Sequence, residues 1–190
     1  MEHNLKYIHQ DLVEGCKKGD RNAQFKIYKL YYKAMFNTSL RILNDRAEAE
    51  DNMQESFLDA FRKIEYYSGD GSFGSWLKRI VVNNALDTLR KRRDQISLDD
   101  AGIDIPEEEE QTSEEEIQLQ IQEIKSAIAQ LPEEYRIILS LYLLEGYDHE
   151  EISEILKISY NNSRTRFSRA RQRLLQIISK NRLTKEINYN

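Results

Sequence analysis

Residues Tyr147–Leu174 have the sequence YDHEEISEILKISYNNSRTRFSRARQRL, which has the pattern of a helix-turn-helix with a strongly basic second helix. Asp148 is predicted to cap the first helix, because Glu151 lies three positions later, in the spacing of a capping box. Ser159 is predicted to cap the second helix only a few residues after the first one ends. Two short helices joined by a turn of this kind define the motif.

The second helix of this motif has an apolar stripe and a polar, basic surface opposite to it. On a helical wheel Phe167, Ala170 and Leu174 fall within about 40° of Ser163, so this stripe is predicted to pack on the first helix. Eight Lys or Arg and no Asp or Glu lie between Ile155 and Arg182. Concentrated positive charge of this kind provides most of the affinity for nucleic acid, so we interpret the surface as DNA-binding and not only as solvated. The residues predicted to contact DNA are Ser159, Asn161, Asn162, Arg164, Thr165, Arg166, Arg169 and Arg171.

The composition favours a helical protein in a reducing compartment. The chain of 190 residues has 32% charged residues, only 7 glycines and 2 prolines, and a net charge of −5, which favours helices over sheets. Cys16 is the only cysteine, so an internal disulfide is excluded. No apolar run approaches the length of a membrane span, and the first residues lack a signal-peptide pattern. We expect a cytoplasmic protein without membrane insertion.

An acidic segment, Asp94–Glu116, divides the chain. It holds eleven Asp or Glu and no Lys or Arg, with Gly102 and Pro106 as helix breakers. Such a segment buries too little apolar surface to offset the entropy lost on ordering it. The sequence therefore predicts an all-α protein of two small helical domains, residues 20–93 (the first lobe) and 115–180 (the second lobe). Residues 94–114 are predicted to join them as a flexible acidic linker.

The second lobe is predicted to contain four helices. Isoleucines at helical spacing indicate a helix over about Glu115–Gln130. The stretch Leu131-Pro132-Glu133-Glu134 is typical of a second helix start, with proline at the first position and acids in the first turn. Gly146 is predicted to end that helix. The helix-turn-helix supplies the remaining two, and His149 is expected to lie exposed in a first turn.

The first lobe is predicted to contain three helices. Asp20 is expected to cap one that ends near Asn44-Asp45, and a second covers about Arg46–Tyr66. After a loop, the third covers Phe73–Arg93. Side chains at steps of three and four share a face of this third helix, namely Phe73, Trp76, Ile80, Asn83, Asp87 and Arg90. Such a stripe suits single-stranded bases stacked beside a phosphate backbone, although the spacing alone favours core positions for the two aromatic residues.

The sequence shows no arrangement that is typical of catalysis. Gly69–Gly74 matches G-x-G-x-x-G letter for letter, but a helical pattern precedes it, whereas a dinucleotide site requires a preceding strand. The three histidines lack carboxylate or cysteine partners at the spacing of metal ligands. No pairing of a nucleophile with a base can be argued. We therefore predict no enzymatic activity, no metal and no cofactor.

Five short motifs, taken together, carry a family resemblance. The first lobe contains EAEDNMQESF at Glu48–Phe57 and GSFGSWL at Gly71–Leu77, and the second contains LPEEYR at Leu131–Arg136, EGYDHEEI at Glu145–Ile152 and SRAR at Ser168–Arg171. With these motifs the chain resembles the group IV, extracytoplasmic-function (ECF) sigma factors of the sigma-70 family, of the kind common in Bacteroidetes. The resemblance leaves out only the termini and the linker.

The resemblance implies a promoter-specificity subunit that binds promoter DNA and core RNA polymerase, at the polymerase β′ clamp and β flap. It also implies an anti-sigma factor as a partner. The residues implied to bind polymerase are Asp51, Gln54, Glu55 and Phe57. Those implied to meet the melted −10 element are Phe73, Trp76, Lys78, Asn83, Asp87, Arg90, Arg92 and Arg93. The loop at residues 67–72 is implied to receive a flipped base.

The resemblance further places the second helix of the helix-turn-helix in the major groove of the −35 element. Many relatives have Gly-Thr-Val where this chain has Asn161-Asn162-Ser163. Ser163 weakens the apolar stripe, and the two asparagines suit adenine edges.

Two other functions fit parts of the sequence. A stand-alone helix-turn-helix regulator would use the second lobe, but it does not need a first lobe that combines an acidic, amide-rich patch with an aromatic and basic helix. A nuclease or another DNA-acting enzyme is opposed by the missing cluster of metal ligands.

Overall fold

The structure of the protein is a computed structural model that describes residues 9–95 and 115–188, with side chains described for residues 9–93 and 121–181. Every regular element in these residues is helical, which confirms the predicted all-α class. The chain divides into two compact units, Met1–Asp99 and Asp100–Asn190, which contain the first and second lobes. Residues 96–114, nearly all of the predicted linker, lie outside the described residues.

Four helices form the described part of the first unit. They are α1 (Gln10–Lys17), α2 (Arg21–Leu43), α3 (Arg46–Arg62) and α4 (Phe73–Gln95), and a 3₁₀ turn at Ile64–Tyr66 follows α3. The three predicted helices are present, and α1 is an addition to them. This helix packs on α2 and buries Val13 and Cys16. Burial, with a smaller effect of Asp20, raises the pKa of the Cys16 thiol to about 11, so the thiol stays protonated at neutral pH.

Side-chain caps set where α2 and α3 begin. Asp20 accepts a hydrogen bond from the backbone N–H of Asn22 at 2.8 Å, as predicted. Asp45 accepts one from the N–H of Glu48 at 2.9 Å. Each cap satisfies a backbone N–H that has no partner within its helix.

A buried amide joins the three long helices of the first lobe. Asn52 of α3 donates through Nδ2 to Oγ of Ser39 on α2 at 2.8 Å and to the carbonyl of Val81 on α4 at 3.2 Å. Ser39 in turn donates to the carbonyl of Met35 at 3.0 Å. Because a buried polar group is costly unless it is satisfied, this network specifies how α2, α3 and α4 fit together. The surrounding core is apolar, with Ile27, Leu77, Val81 and Val82 fully buried.

The second lobe contains the four predicted helices, α5 (Glu115–Ala129), α6 (Glu133–Leu139), α7 (His149–Leu156) and α8 (Tyr160–Asn188). A π-helical segment, Ser140–Leu144, extends α6, and Gly146 follows it with a φ of 79°. This left-handed conformation is one that glycine adopts without steric cost, so the predicted end at Gly146 is confirmed. Helices α5, α6 and α7 all pack against α8.

No helix within the described ranges is both long and apolar enough to cross a membrane. In the same residues, no group of three His, Cys, Asp or Glu side chains is placed to hold a metal ion.

Candidate nucleic-acid and polymerase interfaces

Helices α7 and α8 form the helix-turn-helix. Asp148 accepts hydrogen bonds from the N–H groups of Glu150 and Glu151 at 2.8 Å, and Glu151 accepts one from the N–H of Asp148 at 2.9 Å. The predicted capping box is therefore present in full. Ser159 accepts a hydrogen bond from the N–H of Asn162 at 3.2 Å, so it caps α8 as predicted. Lys157, with a φ of 55°, makes the turn between the helices.

The predicted stripe of α8 faces inward. Ser163 and Ala170 are fully buried, Leu174 is buried and Phe167 is half-buried. The hydroxyl of Ser163 lies 3.0 Å from Nδ1 of His149 on α7, so a hydrogen bond accompanies the apolar contacts between the two helices.

The expectation that His149 lies exposed is wrong. It does occupy the first turn of α7, but it is half-buried because three aromatic rings surround its imidazole. The imidazole stacks on Tyr142 at 4.8 Å and meets Phe167 and Tyr160 edge-on at 5.4 and 6.2 Å. Burial lowers the pKa of His149 below its usual range, and the nearby Arg164 guanidinium lowers it further, against an opposing effect of Asp148.

The opposite side of α8 carries the predicted DNA-contacting set. Seven of these eight residues are exposed, and Arg166 is half-buried. The exposed ones are Ser159, Asn161, Asn162, Arg164, Thr165, Arg169 and Arg171. They form a continuous surface because the inward stripe occupies the other side of the helix.

Arg166 has two polar partners within the protein. Its Nε donates to Oδ1 of Asn162 at 2.9 Å, and one of its terminal nitrogens lies 3.6 Å from a carboxylate oxygen of Glu134 at the start of α6. A base edge that needs the side-chain oxygen of Asn162 must therefore compete with Arg166.

On α4 the predicted stripe begins in the core and ends in solvent. Phe73 is only 3% exposed and packs against Tyr31, Tyr67 and Trp76. The core position that the spacing favours for Phe73 is confirmed. The contact with the −10 element that the resemblance implies is corrected, since the ring cannot stack on a base without leaving the core. Trp76 is half-buried beside the ring of Tyr67, at 5.5 Å. The reason is helical geometry: steps of three and four from residue 73 to residue 90 drift by about 100° around the helix.

The polar residues predicted on α4 reach the surface to different degrees. Asn83, Asp87, Arg90 and Arg93 are exposed, and Lys78 and Arg92 are half-buried. Asp87 and Arg90 form an ion pair with each other, and Arg92 lies 3.6 Å from Glu48 of α3. Asp87 therefore orients a basic side chain, which fits a supporting role better than direct contact with a phosphate.

The exposed face of α3 contains three of the four predicted polymerase-binding residues. Asp51, Gln54 and Glu55 are exposed, whereas Phe57 is only 3% exposed and meets Tyr28 edge-on at 5.0 Å. The prediction of a surface position for Phe57 is wrong, because this residue lies on the side of α3 that faces the core. Leu58, which is 50% exposed, is the apolar residue of the outer face. Its spacing of seven from Asp51 is the signal in the sequence that identifies it.

Comparisons with known proteins assign both lobes to the same family. Residues 27–95 match the model of sigma-70 region 2, and residues 121–174 match that of sigma-70 region 4. The RNA polymerase sigma-H factor of Pseudomonas aeruginosa is 31% identical over 176 residues, which cover 86% of this chain and 90% of that protein. The ECF RNA polymerase sigma factor SigW of Bacillus subtilis is 30% identical over 178 residues, 85% of this chain and 92% of SigW.

The chain belongs to the sigma-70 family, in its ECF group.

Solved structures agree with this sigma factor in fold. The sigma factor RpoE from Bartonella quintana, solved with the anti-sigma factor NepR, has a TM-score of 0.58 at 21% identity and covers 81% of this chain and 95% of its own. CnrH, solved with the cytosolic domain of CnrY, has a TM-score of 0.55 at 20% identity, over 89% of this chain and 96% of its own. In this sigma factor, region 2 covers most of α2 and all of α3 and α4, while region 4 includes most of α5, all of α6 and α7, and the first half of α8.

Proposed function

We propose that this sigma factor directs core RNA polymerase to promoters through three surfaces. The outer face of α8 meets the −35 element, the loop at residues 67–72 together with α4 meets the melted −10 element, and the outer face of α3 binds polymerase. The observation that carries the proposal is the exposed, basic and acid-free face of α8 in a member of this family.

At the −35 element, α8 is the recognition helix. Residues near the start of such a helix contact base edges in the major groove, so Asn161 and Asn162 are placed to read bases. Arg164 and Arg171 are exposed on the flanks of this face, where they suit phosphates. Arg169 lies between the flanks and is the second candidate for base reading.

For the −10 element, the burial of Phe73 supports a smaller set of contact residues than the resemblance implies. Phe73 belongs to the core, so the contact surface consists of the accessible part of Trp76 and the exposed polar residues of α4, with Lys78 beside them. Arg90 and Arg93 suit the phosphates of a separated strand, and Asp87 holds Arg90 in place.

At the polymerase surface, Asp51, Gln54, Glu55 and Leu58 lie within about 100° on one side of α3. A half-exposed leucine surrounded by polar side chains is typical of a protein–protein interface, which has an apolar centre and a polar rim. Glu55 also forms an ion pair with Arg62 at 3.3 Å on the exposed surface.

Several finer assignments are part of the same proposal. The domain bounds 20–93 and 115–180, the cytoplasmic location and the absence of catalysis are proposed from the sequence patterns, and the Bacteroidetes-like subgroup is proposed from the resemblance. An anti-sigma partner is proposed by analogy with RpoE, which was captured with NepR.

The proposal is tested by adding the purified full chain to core polymerase and mapping runoff transcripts on genomic fragments. A double variant, Arg169→Ala with Arg171→Ala, should keep its competition for core polymerase and lose runoff. Failure of the unaltered chain to bind core polymerase would refute the proposal. Duplex binding without any polymerase binding would instead identify a stand-alone regulator.

A further inference from the structure

Tyr67 connects the two ends of the loop at residues 67–72. Its hydroxyl donates a hydrogen bond of 2.6 Å to the carbonyl oxygen of Gly71. Its ring packs edge-on against Phe73 at 5.5 Å, and at a tilt of 47° against Trp76 at 5.5 Å. The half-buried side chain of Tyr67 therefore packs in the aromatic core and joins residue 67 to residue 71 across the loop.

The hydroxyl of Tyr67 remains a donor at every physiological pH. Burial raises the pKa of Tyr67, and the negative charge of Asp70 raises it further. Within the loop, the Ser68 hydroxyl donates to a carboxylate oxygen of Asp70 at 2.7 Å, and Gly69 adopts a φ of 85°.

The far end of the loop is fixed from α2. Tyr31 packs on Phe73 with ring centroids 5.7 Å apart, and a Cβ added to Gly74 would lie 2.9 Å from Cε1 of Tyr31. This close approach holds the start of α4 against α2. The hydrogen bond from Tyr67 to Gly71 joins the other end of the loop to this fixed end.

We propose that Tyr67 is a positioning residue, whose hydroxyl holds the loop at residues 67–72 in the form that receives an unpaired promoter base. The inference rests on the proposed function, in which this loop meets the melted −10 element. A loop that is already closed loses little conformational entropy on binding, whereas an open loop must be ordered by the DNA. The Tyr67 ring packs in the aromatic core, and its hydroxyl group holds the loop for base recognition.

Two neighbouring tyrosines make a matched pair of variants. Tyr67→Phe removes the oxygen and keeps the ring in its aromatic contacts. Tyr66→Phe removes the same oxygen from the preceding residue, whose side chain is 82% exposed and makes no ring contact among the described residues. Amide hydrogen exchange of the free full chain should become faster in the loop of Tyr67→Phe, with α4 unchanged, and Tyr66→Phe should match the unaltered protein.

The functional test uses the holoenzyme on a promoter mapped by runoff transcription. The probe is that promoter with a pre-melted −10 region, in which each base of the non-template strand is removed in turn. In the unaltered protein, one abasic position should weaken binding most. In Tyr67→Phe that penalty should shrink by roughly 2- to 10-fold, the value of one hydrogen bond. Competition for core polymerase should not change.

The outcomes separate the two levels of the proposal. An abasic penalty of the same size in Tyr67→Phe, or one that shrinks equally in Tyr66→Phe, would overturn the role of the Tyr67 hydroxyl and leave the proposed function standing. A uniform loss of polymerase binding in Tyr67→Phe would show a merely structural role and would also overturn it. An unaltered holoenzyme without any base-dependent position in the melted region would refute the function proposed for the loop, and the inference with it.

Discussion

The imidazole Nδ1 of His149 lies 3.0 Å from the hydroxyl oxygen of Ser163, and this contact joins the first helix of the helix-turn-helix to the second. Ser163 is fully buried, so its hydroxyl would be left without a partner if the imidazole were removed. The buried polarity that Ser163 introduces into the apolar stripe of α8 is therefore satisfied by a hydrogen bond with His149 of α7.

This contact should make the second lobe sensitive to acid. Because burial and Arg164 lower the pKa of His149 in the folded protein, the unfolded chain binds the proton more tightly. The stability from neutral His149 is present above the unfolded pKa of about 6.5 and is lost as the pH falls below it. Hydrogen exchange in α7 and α8, corrected for intrinsic rates, should accelerate between about pH 7.5 and about pH 5.5. Tyr142 and Tyr160 are the two tyrosines whose rings contact the imidazole.

The control for this pH dependence is the double replacement His149→Phe with Ser163→Val, which removes the titrating group and the buried hydroxyl together. That double variant should lose the pH response in α7 and α8. The losses of stability in the two single variants should add up to more than the loss in the double variant, because each single replacement leaves one polar group without its partner. A pH response that persists in the double variant would assign it to another group.

Asn52 should be a main determinant of stability in the first lobe. Asn52→Ala removes the donor that reaches both Ser39 and Val81, and it should lower the free energy of unfolding by about 1–3 kcal/mol. Trp76, the only tryptophan, lies in the first lobe, so its fluorescence during denaturant unfolding reports on that lobe. Asn83→Ala, at an exposed site on α4, is the control and should change little. Equal effects of both variants would contradict a special role for the buried amide.

Phe57 and Leu58 should separate folding from polymerase binding. Phe57→Ala leaves a cavity beside Tyr28 and should cost about 3–5 kcal/mol of stability. Leu58→Ala should leave the unfolding curve unchanged. It should weaken competition for core polymerase by about fivefold, because the complex would lose the burial of the exposed part of this leucine. Leu30→Ala is the matched control, since Leu30 on α2 is also 50% exposed. If Leu30→Ala weakens competition as much as Leu58→Ala does, the outer face of α3 is not the binding surface.

Arg171 and Arg166 should contribute unequally to DNA affinity. Arg171→Ala should weaken binding of the full chain to all duplexes and reduce the salt slope by about one unit, as expected for one lost phosphate contact. Arg166→Ala should have a smaller effect, because Arg166 already has Asn162 and Glu134 as partners in the free protein. Asn162→Ala and Arg169→Ala should instead alter base preference. Variants that change salt slope and base preference alike would contradict this division.

The sequence by itself determined the helices, their caps and the two faces of the helix-turn-helix. Asp20, Asp148 and Ser159 act through hydrogen bonds to backbone groups two or three residues away, so local spacing was sufficient to predict them. The inward stripe of α8 was predictable for the same reason, since a helix of known period has only one apolar side.

Only the tertiary structure decided which side chains of the other helices are available to a partner. The resemblance implied partner contacts for Phe57 and Phe73, and His149 was expected to lie exposed. All three are covered by aromatic rings that come from other turns or other helices. The bond from Tyr67 to Gly71 likewise depends on a ring held in place by the core. Spacing places a residue on one side of its helix, but whether that side is covered depends on packing between segments that are distant in the chain.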